Sequence, residues 1–171
     1  QSRERYSTQE DLVGTLAELR RRTIPVDNIV QDWQYWKDDQ WGSHEFDQTR
    51  YPDPEKMLDD VHAMHGRFMR ISVWPKFYVN TDHYQELKKA GYVYPLAEKD
   101  SLKDWLGHME SFYDAYSEGG RKMFWKQMDE SLYSKYGRKI DAWWMDASEP
   151  NLRDCLPMDY QKALTTPTAL G

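Results

Sequence analysis

The sequence predicts an α/β protein with a parallel sheet, and more specifically part of a (β/α)8 TIM barrel. Helical and strand patterns alternate with short connections in the first half of the chain, which is typical of parallel βαβ units. Three strands are identifiable, whereas a complete barrel has eight strands in roughly 250 residues. The 171 residues therefore indicate a partial barrel. The abrupt start at Gln1 and the loop-like end at Gly171 favour it over the alternative, a small open α/β sheet that forms a whole domain.

Three long helices are predicted from apolar residues that recur at helical spacing. The first covers residues 8–22, and Ser7 and Glu10 have the spacing of a capping box at its start. The second covers residues 54–65, and the third covers residues 120–136. The glycines expected to end the second and third helices are Gly66 and Gly137.

Three strands are predicted at residues 27–33, 68–74 and 140–145, each rich in residues that favour strands. The stretch 76–116 between the last two is expected to be irregular, with one short helix at residues 82–90. It is long for a plain connection, which suggests a loop excursion over an active site.

Composition excludes several classes of function. The net charge of −6 argues against a nucleic-acid partner, and no apolar run is long enough to span a membrane. The single cysteine, Cys155, excludes a disulfide framework and a cysteine-rich zinc site. No signal peptide is visible, so the compartment stays open, with a periplasmic or secreted location favoured over the cytoplasm.

Carboxylates and tryptophans gather where the predicted strands end. Aromatic residues make up 15% of the chain, including eight Trp and twelve Tyr, and indole faces suit the half-apolar surfaces of sugars. Asp32 and Trp33 end the first strand, Trp74 the second, and Trp144 and Asp146 the third. Because functional side chains in parallel sheets lie at the carboxyl ends of strands, we expect these residues on one rim. This pattern favours a carbohydrate site.

Five sequence runs strengthen this interpretation because they occur in a fixed order: IPVDNIVQDWQYW at 24–36, FD at 46–47, RYPDP at 50–54, ISVWP at 71–75 and WWMDASEP at 143–150. Together they resemble glycoside hydrolase family 31, most closely its bacterial α-xylosidase-like members. The resemblance covers nearly the whole chain, as the N-terminal part of the catalytic barrel, with about the second to fourth barrel strands.

The resemblance implies a role for each residue of the expected site. Asp146 matches the family's catalytic nucleophile. Asp32 matches the aspartate that binds hydroxyls of the sugar in the −1 subsite, and Trp33 is its neighbour in that wall. Trp74 matches the third-strand tryptophan of the same subsite. Trp144 stands where some members carry a lysine, so it is expected to contact sugar while the sugar preference stays open.

The resemblance implies a retaining α-glycoside hydrolase that releases a terminal sugar, with α-xylose from xyloglucan-type oligosaccharides preferred. Its general acid/base lies on a later strand, so these 171 residues alone are expected to be inactive or nearly so. The expected partners are the oligosaccharide, the rest of the barrel and flanking β domains, and no metal or other cofactor is expected. An α-glucosidase, a transglycosylase and a non-catalytic carbohydrate-binding fragment remain alternatives. Glu149 is expected to orient or anchor a loop.

Overall fold

The structure is a computed structural model that describes residues 5–148, 157, 159, 162 and 163, without the side chains of 68–70. Glu149 and Cys155 lie outside the described residues. The described part divides into two compact units. The first comprises residues 5–37, 44–73 and 128–144, and the second comprises residues 38–43, 74–127 and 145–148. No helix in these ranges is long and apolar enough to cross a membrane.

Helices and strands alternate at the start of the chain, as predicted. In chain order the elements are α1 (Gln9–Arg21), β1 (Asn28–Gln31), α2 (Pro54–Ala63), β2 (Arg67–Val73), β3 (Lys76–Tyr78), α3 (Asp82–Lys89), α4 (Leu96–Lys99), β4 (Glu110–Phe112), α5 (Glu118–Met128), a π-helical turn (Asp129–Tyr133) and β5 (Ala142–Met145).

The strands β1, β2 and β5 form a three-stranded sheet in the order β1-β2-β5. β1 and β2 pair in parallel, with Asn28 opposite Arg67 and Gln31 opposite Ile71, and the register shifts between them. The connection from β1 to β2 contains α2, which packs against β2. The predicted βαβ unit is therefore confirmed, and the described strands form two open sheets rather than a closed barrel.

Helix α1 begins one residue later than the expected capping box. Thr8, rather than Ser7, accepts a hydrogen bond from the Asp11 backbone N–H at 3.2 Å, and the Asp11 carboxylate accepts one from the Thr8 N–H. The aspartate at the third helical position replaces the usual glutamate. From this start, Leu12 and Leu16 fall on the buried face of the helix.

The end of helix α2 differs from the prediction in its residue and in its physical reason. His65 adopts the left-handed conformation, with φ of 56°, and Gly66 does not. Gly66 is instead a close-packing position, because a Cβ atom there would lie 2.8 Å from Leu16 Cδ2 and 3.1 Å from the Val61 carbonyl oxygen. The glycine lets two helices approach the start of β2.

The second unit contains regular structure where an irregular stretch was expected. β3 and β4 form a two-stranded antiparallel sheet, and Lys76 pairs with Phe112 and Tyr78 with Glu110. Each strand has only three residues, too few for hydrophobic alternation to be evident in the sequence. The short helix predicted at 82–90 is confirmed as α3, and its left-handed Gly91 follows.

The third long helix begins two residues before its predicted start and changes character before its end. It is α-helical over Glu118–Met128 and continues as the π-helical turn. Gly137 has φ of 64°, which confirms the predicted glycine stop, and Arg138 after it is also left-handed. The third predicted strand follows as β5.

Candidate functional site

Asp32 lies directly after β1 and is almost fully buried, with 6% of its surface exposed. Its Oδ1 atom accepts a 2.8 Å hydrogen bond from the backbone N–H of Trp33. The side-chain amide of Gln31 donates to the Asp32 backbone carbonyl at 3.1 Å. The Trp33 N–H therefore orients the carboxylate, while the Gln31 amide holds the backbone of Asp32. The Trp33 side chain itself is partly exposed.

The loop after Trp33 is fixed by buried aromatic rings. Tyr35 and Trp36 are fully buried, and the Tyr35 hydroxyl donates to the Ser72 carbonyl at 3.1 Å. The Tyr35 ring lies 4.8 Å from that of Trp36 and 4.9 Å from that of Phe46. This packing ties the segment that carries Asp32 to the end of β2.

A second set of contacts closes the same loop. The Asp47 backbone N–H donates to the Tyr35 carbonyl at 2.8 Å, and the Arg50 guanidinium donates to the Asp47 carboxylate at 3.0 Å and to the Trp36 carbonyl at 2.5 Å. Burial alone would raise the pKa of Asp47. Hydrogen bonds from Thr49 and Arg50 outweigh this effect, so the pKa of Asp47 lies below its ordinary value. The charged Asp47–Arg50 pair is thus part of the scaffold for Asp32.

Strand β5 carries two adjacent tryptophans, Trp143 and Trp144. The Trp143 ring meets Tyr133 edge-on at 6.1 Å. Trp143 and Trp144 are both partly exposed. The strand therefore presents Trp143 to the π-helical turn and leaves part of both indoles accessible.

Trp74, in the second unit, directly follows β2 and is 7% exposed. Its ring meets the Trp41 ring edge-on, with centroids 5.9 Å apart and planes at 89°. The Lys76 ammonium lies 5.4 Å from the Trp74 ring centroid, within the range of a cation–π interaction. Two neighbours thus fix the orientation of this indole.

An aromatic cluster surrounds Trp41 and was not predicted from the sequence. The Trp41 ring stacks on Tyr78 at 5.3 Å and packs against Trp105 at the same distance. Tyr78 in turn stacks on His108 at 4.6 Å. The only sequence signal was the aromatic excess, because these residues come from segments that are far apart in the chain.

Asp104 organises the turn that holds part of this cluster. Its carboxylate accepts hydrogen bonds from the Tyr78 hydroxyl and from the backbone N–H groups of Leu106 and His108. Burial and the Asp104 carboxylate raise the pKa of Tyr78, so its hydroxyl stays protonated and donates. The turn leaves Trp105 with 72% of its surface exposed.

Asp146 directly follows β5 and is half-buried. Its Oδ1 atom accepts a 2.9 Å hydrogen bond from the backbone N–H of Ala147. Ala147 has φ of 49°, a left-handed conformation that is uncommon for a residue with a side chain. Such strained positions cluster at functional sites. The local backbone thus orients one carboxylate oxygen of the expected nucleophile.

The predicted site residues lie at the strand ends where they were expected. Asp32, Trp33 and Trp144 belong to the first unit, and Trp74 and Asp146 belong to the second. That their side chains open to one cleft stays a prediction.

A metal site has no support in the described part of the chain, which holds no group of three or more His, Cys, Asp and Glu side chains arranged for an ion. His62, whose spacing to His65 resembles a metal pair, instead has its Nε2 atom 2.8 Å from Asp141 Oδ2. The histidine therefore contacts the residue that precedes β5.

Comparisons with known proteins relate the chain to one family of glycoside hydrolases. The chain matches the TIM-barrel domain of glycosyl hydrolases family 31 over residues 1–169. It is 33% identical over 150 residues to an α-xylosidase of Saccharolobus solfataricus, covering 88% of this chain and 18% of the relative. It is 29% identical over 150 residues to an uncharacterized family 31 glucosidase of Pseudescherichia vulneris, covering 87% of this chain and 27% of the relative.

A solved structure is similar over almost the whole chain. The crystal structure of a family 31 α-xylosidase from Xanthomonas citri superposes with a TM-score of 0.90 and 47% sequence identity, covering 98% of this chain and 18% of that chain. The chain thus spans about a fifth of the length of such relatives. The matched domain, the parallel strands and this similarity lead to one conclusion: the chain belongs to glycoside hydrolase family 31, whose catalytic domain is a TIM barrel.

Proposed function

We propose that the protein containing this chain is a retaining α-glycosidase that releases terminal α-linked xylose from xyloglucan-type oligosaccharides. The observation that carries this proposal is the 47% identity to the Xanthomonas citri α-xylosidase over 98% of the chain. The relative from Saccharolobus solfataricus is also an α-xylosidase. The chain supplies the N-terminal part of the catalytic barrel.

Asp146 is the nucleophile in this proposal. Its carboxylate attacks the anomeric carbon and forms a covalent glycosyl-enzyme, while the bond to the leaving oxygen breaks. Water then attacks the same carbon and releases the sugar with its original anomeric configuration. The Ala147 N–H, which already donates to Oδ1, orients the carboxylate for this attack.

The remaining site residues bind the sugar rather than react with it. Asp32 accepts hydrogen bonds from sugar hydroxyls in the −1 subsite, and its burial favours strong hydrogen bonds. Trp33 and Trp74 form walls of that subsite. Trp144, two residues before Asp146, contacts the sugar where some family members place a lysine.

The general acid/base comes from a later strand of the barrel, and no residue of this chain matches it. Protonation of the leaving oxygen contributes about 10²–10⁴-fold to such reactions. We therefore propose that a polypeptide of only these 171 residues has little or no activity. The rest of the barrel and flanking β domains complete the enzyme.

The test uses the hydrolase that contains this chain and compares an aryl α-xyloside with the matching aryl α-glucoside. We expect the larger kcat/KM on the xyloside, and proton NMR should show the α-anomer as the first product. First appearance of the β-anomer would contradict the retaining mechanism. Equal or greater kcat/KM on the glucoside would contradict the xylose preference.

An α-glucosidase is the second candidate, because the relative from Pseudescherichia vulneris, at 29% identity, is named as an uncharacterized family 31 glucosidase. The two sugars differ by one hydroxymethyl group, a difference worth only about 1–3 kcal/mol in a binding pocket. A transglycosylase of the same family would transfer the sugar to a second oligosaccharide instead of water. Binding on a glycan array without any turnover would favour a non-catalytic role.

A further inference from the structure

An ion pair between Lys76 and Glu110 is buried beside Trp74. Burying two charges costs free energy, because both lose their contact with water. The Lys76 ammonium lies 3.2 Å from Glu110 Oε1, and the two side chains are only 12% and 3% exposed. Replacing a buried ion pair with apolar residues is often neutral or stabilising. Stability alone therefore gives little reason for this pair.

Strand geometry brings the pair together on one face of the small sheet. Lys76 is opposite Phe112 and Tyr78 is opposite Glu110, so the lysine and the glutamate are diagonal neighbours across β3 and β4. Long side chains bridge such a diagonal. The backbone thus places the lysine head at the glutamate, two residues after Trp74.

The same ammonium contacts aromatic rings. It lies 5.4 Å from the centroid of Trp74 and 6.0 Å from that of Phe112. The Trp74 ring also meets the Trp41 ring edge-on. The indole is therefore fixed by a ring and by a cation that is itself held by a buried carboxylate.

The charged neighbours of Glu110 make Lys76 its stabilising partner. Asp104, on the turn before β4, repels the Glu110 carboxylate, and its own oxygens already accept hydrogen bonds from Tyr78, Leu106 and His108. Burial raises the pKa of Glu110 to about 7; Lys76 opposes this increase and Asp104 adds to it. The charge that holds Lys76 therefore titrates near neutral pH.

We propose that Lys76 is a positioning residue for sugar binding: anchored by Glu110, its ammonium holds the Trp74 indole in the orientation that forms the wall of the sugar site. This inference rests on the proposed function, in which Trp74 contacts the −1 sugar. Trp74 contacts the sugar in both ground and transition states, so a loosened ring weakens binding more than it slows the chemical step.

The experiment uses the hydrolase that contains this chain and a double variant, Lys76→Met with Glu110→Leu. Removing both charges avoids an unpaired buried charge, so this variant is expected to fold. We expect KM for an aryl α-xyloside to rise about three- to tenfold while kcat changes less than about twofold. Lys122→Met, at an exposed pair with Glu118, is the matched control and should leave both constants unchanged.

Two further measurements separate positioning from simple structural support. In the wild type, KM should rise as the pH falls through about 7, and this dependence should disappear in the double variant. The circular-dichroism couplet of the Trp41–Trp74 pair should weaken in the double variant, a readout that needs no activity. If KM in the double variant equals that of the wild type, or the couplet is unchanged, the positioning role is wrong. If the wild type cleaves no aryl α-glycoside, the proposed function fails separately, and the couplet still decides the role of Lys76.

Discussion

The Oδ1 atom of Asp146 is hydrogen-bonded at 2.9 Å to the backbone N–H of Ala147, the next residue, whose φ is 49°. The expected nucleophile is thus oriented by a peptide group in an unfavourable backbone conformation. A side chain that must point at one carbon atom gains from such local support, because productive geometry is worth several kcal/mol in catalysis. The contact makes both residues direct targets for mutation.

Asp146→Asn should abolish nearly all activity in the hydrolase that contains this chain. The amide keeps the shape of the carboxylate but loses its charge and its nucleophilic oxygen. We expect kcat on an activated aryl α-glycoside to fall by about 10³-fold or more, roughly 4 kcal/mol of transition-state stabilisation, with sugar binding largely retained. Steady-state kinetics and equilibrium binding measure the two effects separately.

Asp32→Asn is the informative comparison, because Asp32 is expected to bind hydroxyls of the sugar in both the ground state and the transition state. Binding and turnover should both weaken in that variant, and azide should not restore them. Azide should partly rescue Asp146→Gly by attacking the vacated face of the sugar. Near-normal turnover of Asp146→Asn would show that another residue is the nucleophile, and Glu149 would be the next candidate.

Ala147→Gly should stabilise the fold, because glycine adopts a left-handed φ without steric cost. The expected gain in the free energy of unfolding is about 1 kcal/mol, measured by urea unfolding. Ala147→Val should lower both stability and activity, since a β-branched side chain fits this conformation poorly. Ala90→Gly is the control: its φ of −85° is ordinary, so glycine there should destabilise. A loss of stability in Ala147→Gly would contradict the strain argument.

Gly66→Ala should destabilise the first unit through packing rather than through backbone conformation. The new Cβ atom would lie 2.8 Å from Leu16 Cδ2 and 3.1 Å from the Val61 carbonyl oxygen, so neighbouring groups must move. We expect a loss of about 1–3 kcal/mol, seen as a lower midpoint in thermal or urea unfolding. In the control Gly14→Ala, nothing lies within 4 Å of the new atom. That change should stabilise helix α1 by up to about 1 kcal/mol. Equal effects of the two substitutions would rule out the packing explanation.

Glu110 should make the fold less stable as the pH rises from 4.5 to about 7. Burial raises the pKa of Glu110 from 4.5 to about 7, so the folded protein keeps a proton that the unfolded chain has lost. Between these values the native state binds more protons, and stability therefore falls with increasing pH. Across this range the free energy of unfolding of the wild type should fall by on the order of 3 kcal/mol relative to that of Glu110→Gln, measured by urea unfolding.

Glu98 provides a control, because its contribution to stability should change with pH in the opposite direction. Its hydrogen bond from Lys88 lowers the pKa of the Glu98 carboxyl. Its stabilising contribution should therefore be present above its ordinary pKa and be lost as the pH falls. The free energies of unfolding of Glu110→Gln and Glu98→Gln should be measured against pH, each relative to the wild type. If both differences changed with pH in the same direction, the raised pKa of Glu110 would be contradicted.

The sequence alone determined the helices and turns that depend on neighbouring residues or on a regular spacing of apolar residues. Leu12 and Leu16 recur at helical spacing and predict α1, Asp53 and Pro54 mark the start of α2, and Gly137 marks the turn before β5. The predicted strands also placed Asp32, Trp74 and Asp146 at strand ends. These features follow from a few neighbouring residues, so they are readable before any fold is known.

Only the tertiary structure decided the features that depend on residues far apart in the chain. The pairing of β3 with β4 joins two three-residue segments, and it creates the Lys76–Glu110 pair beside Trp74. The role of Gly66 depends on the side chain of Leu16, fifty residues earlier in the chain. Strands this short have no detectable period, and a buried charge or a close approach exists only once distant segments have packed together.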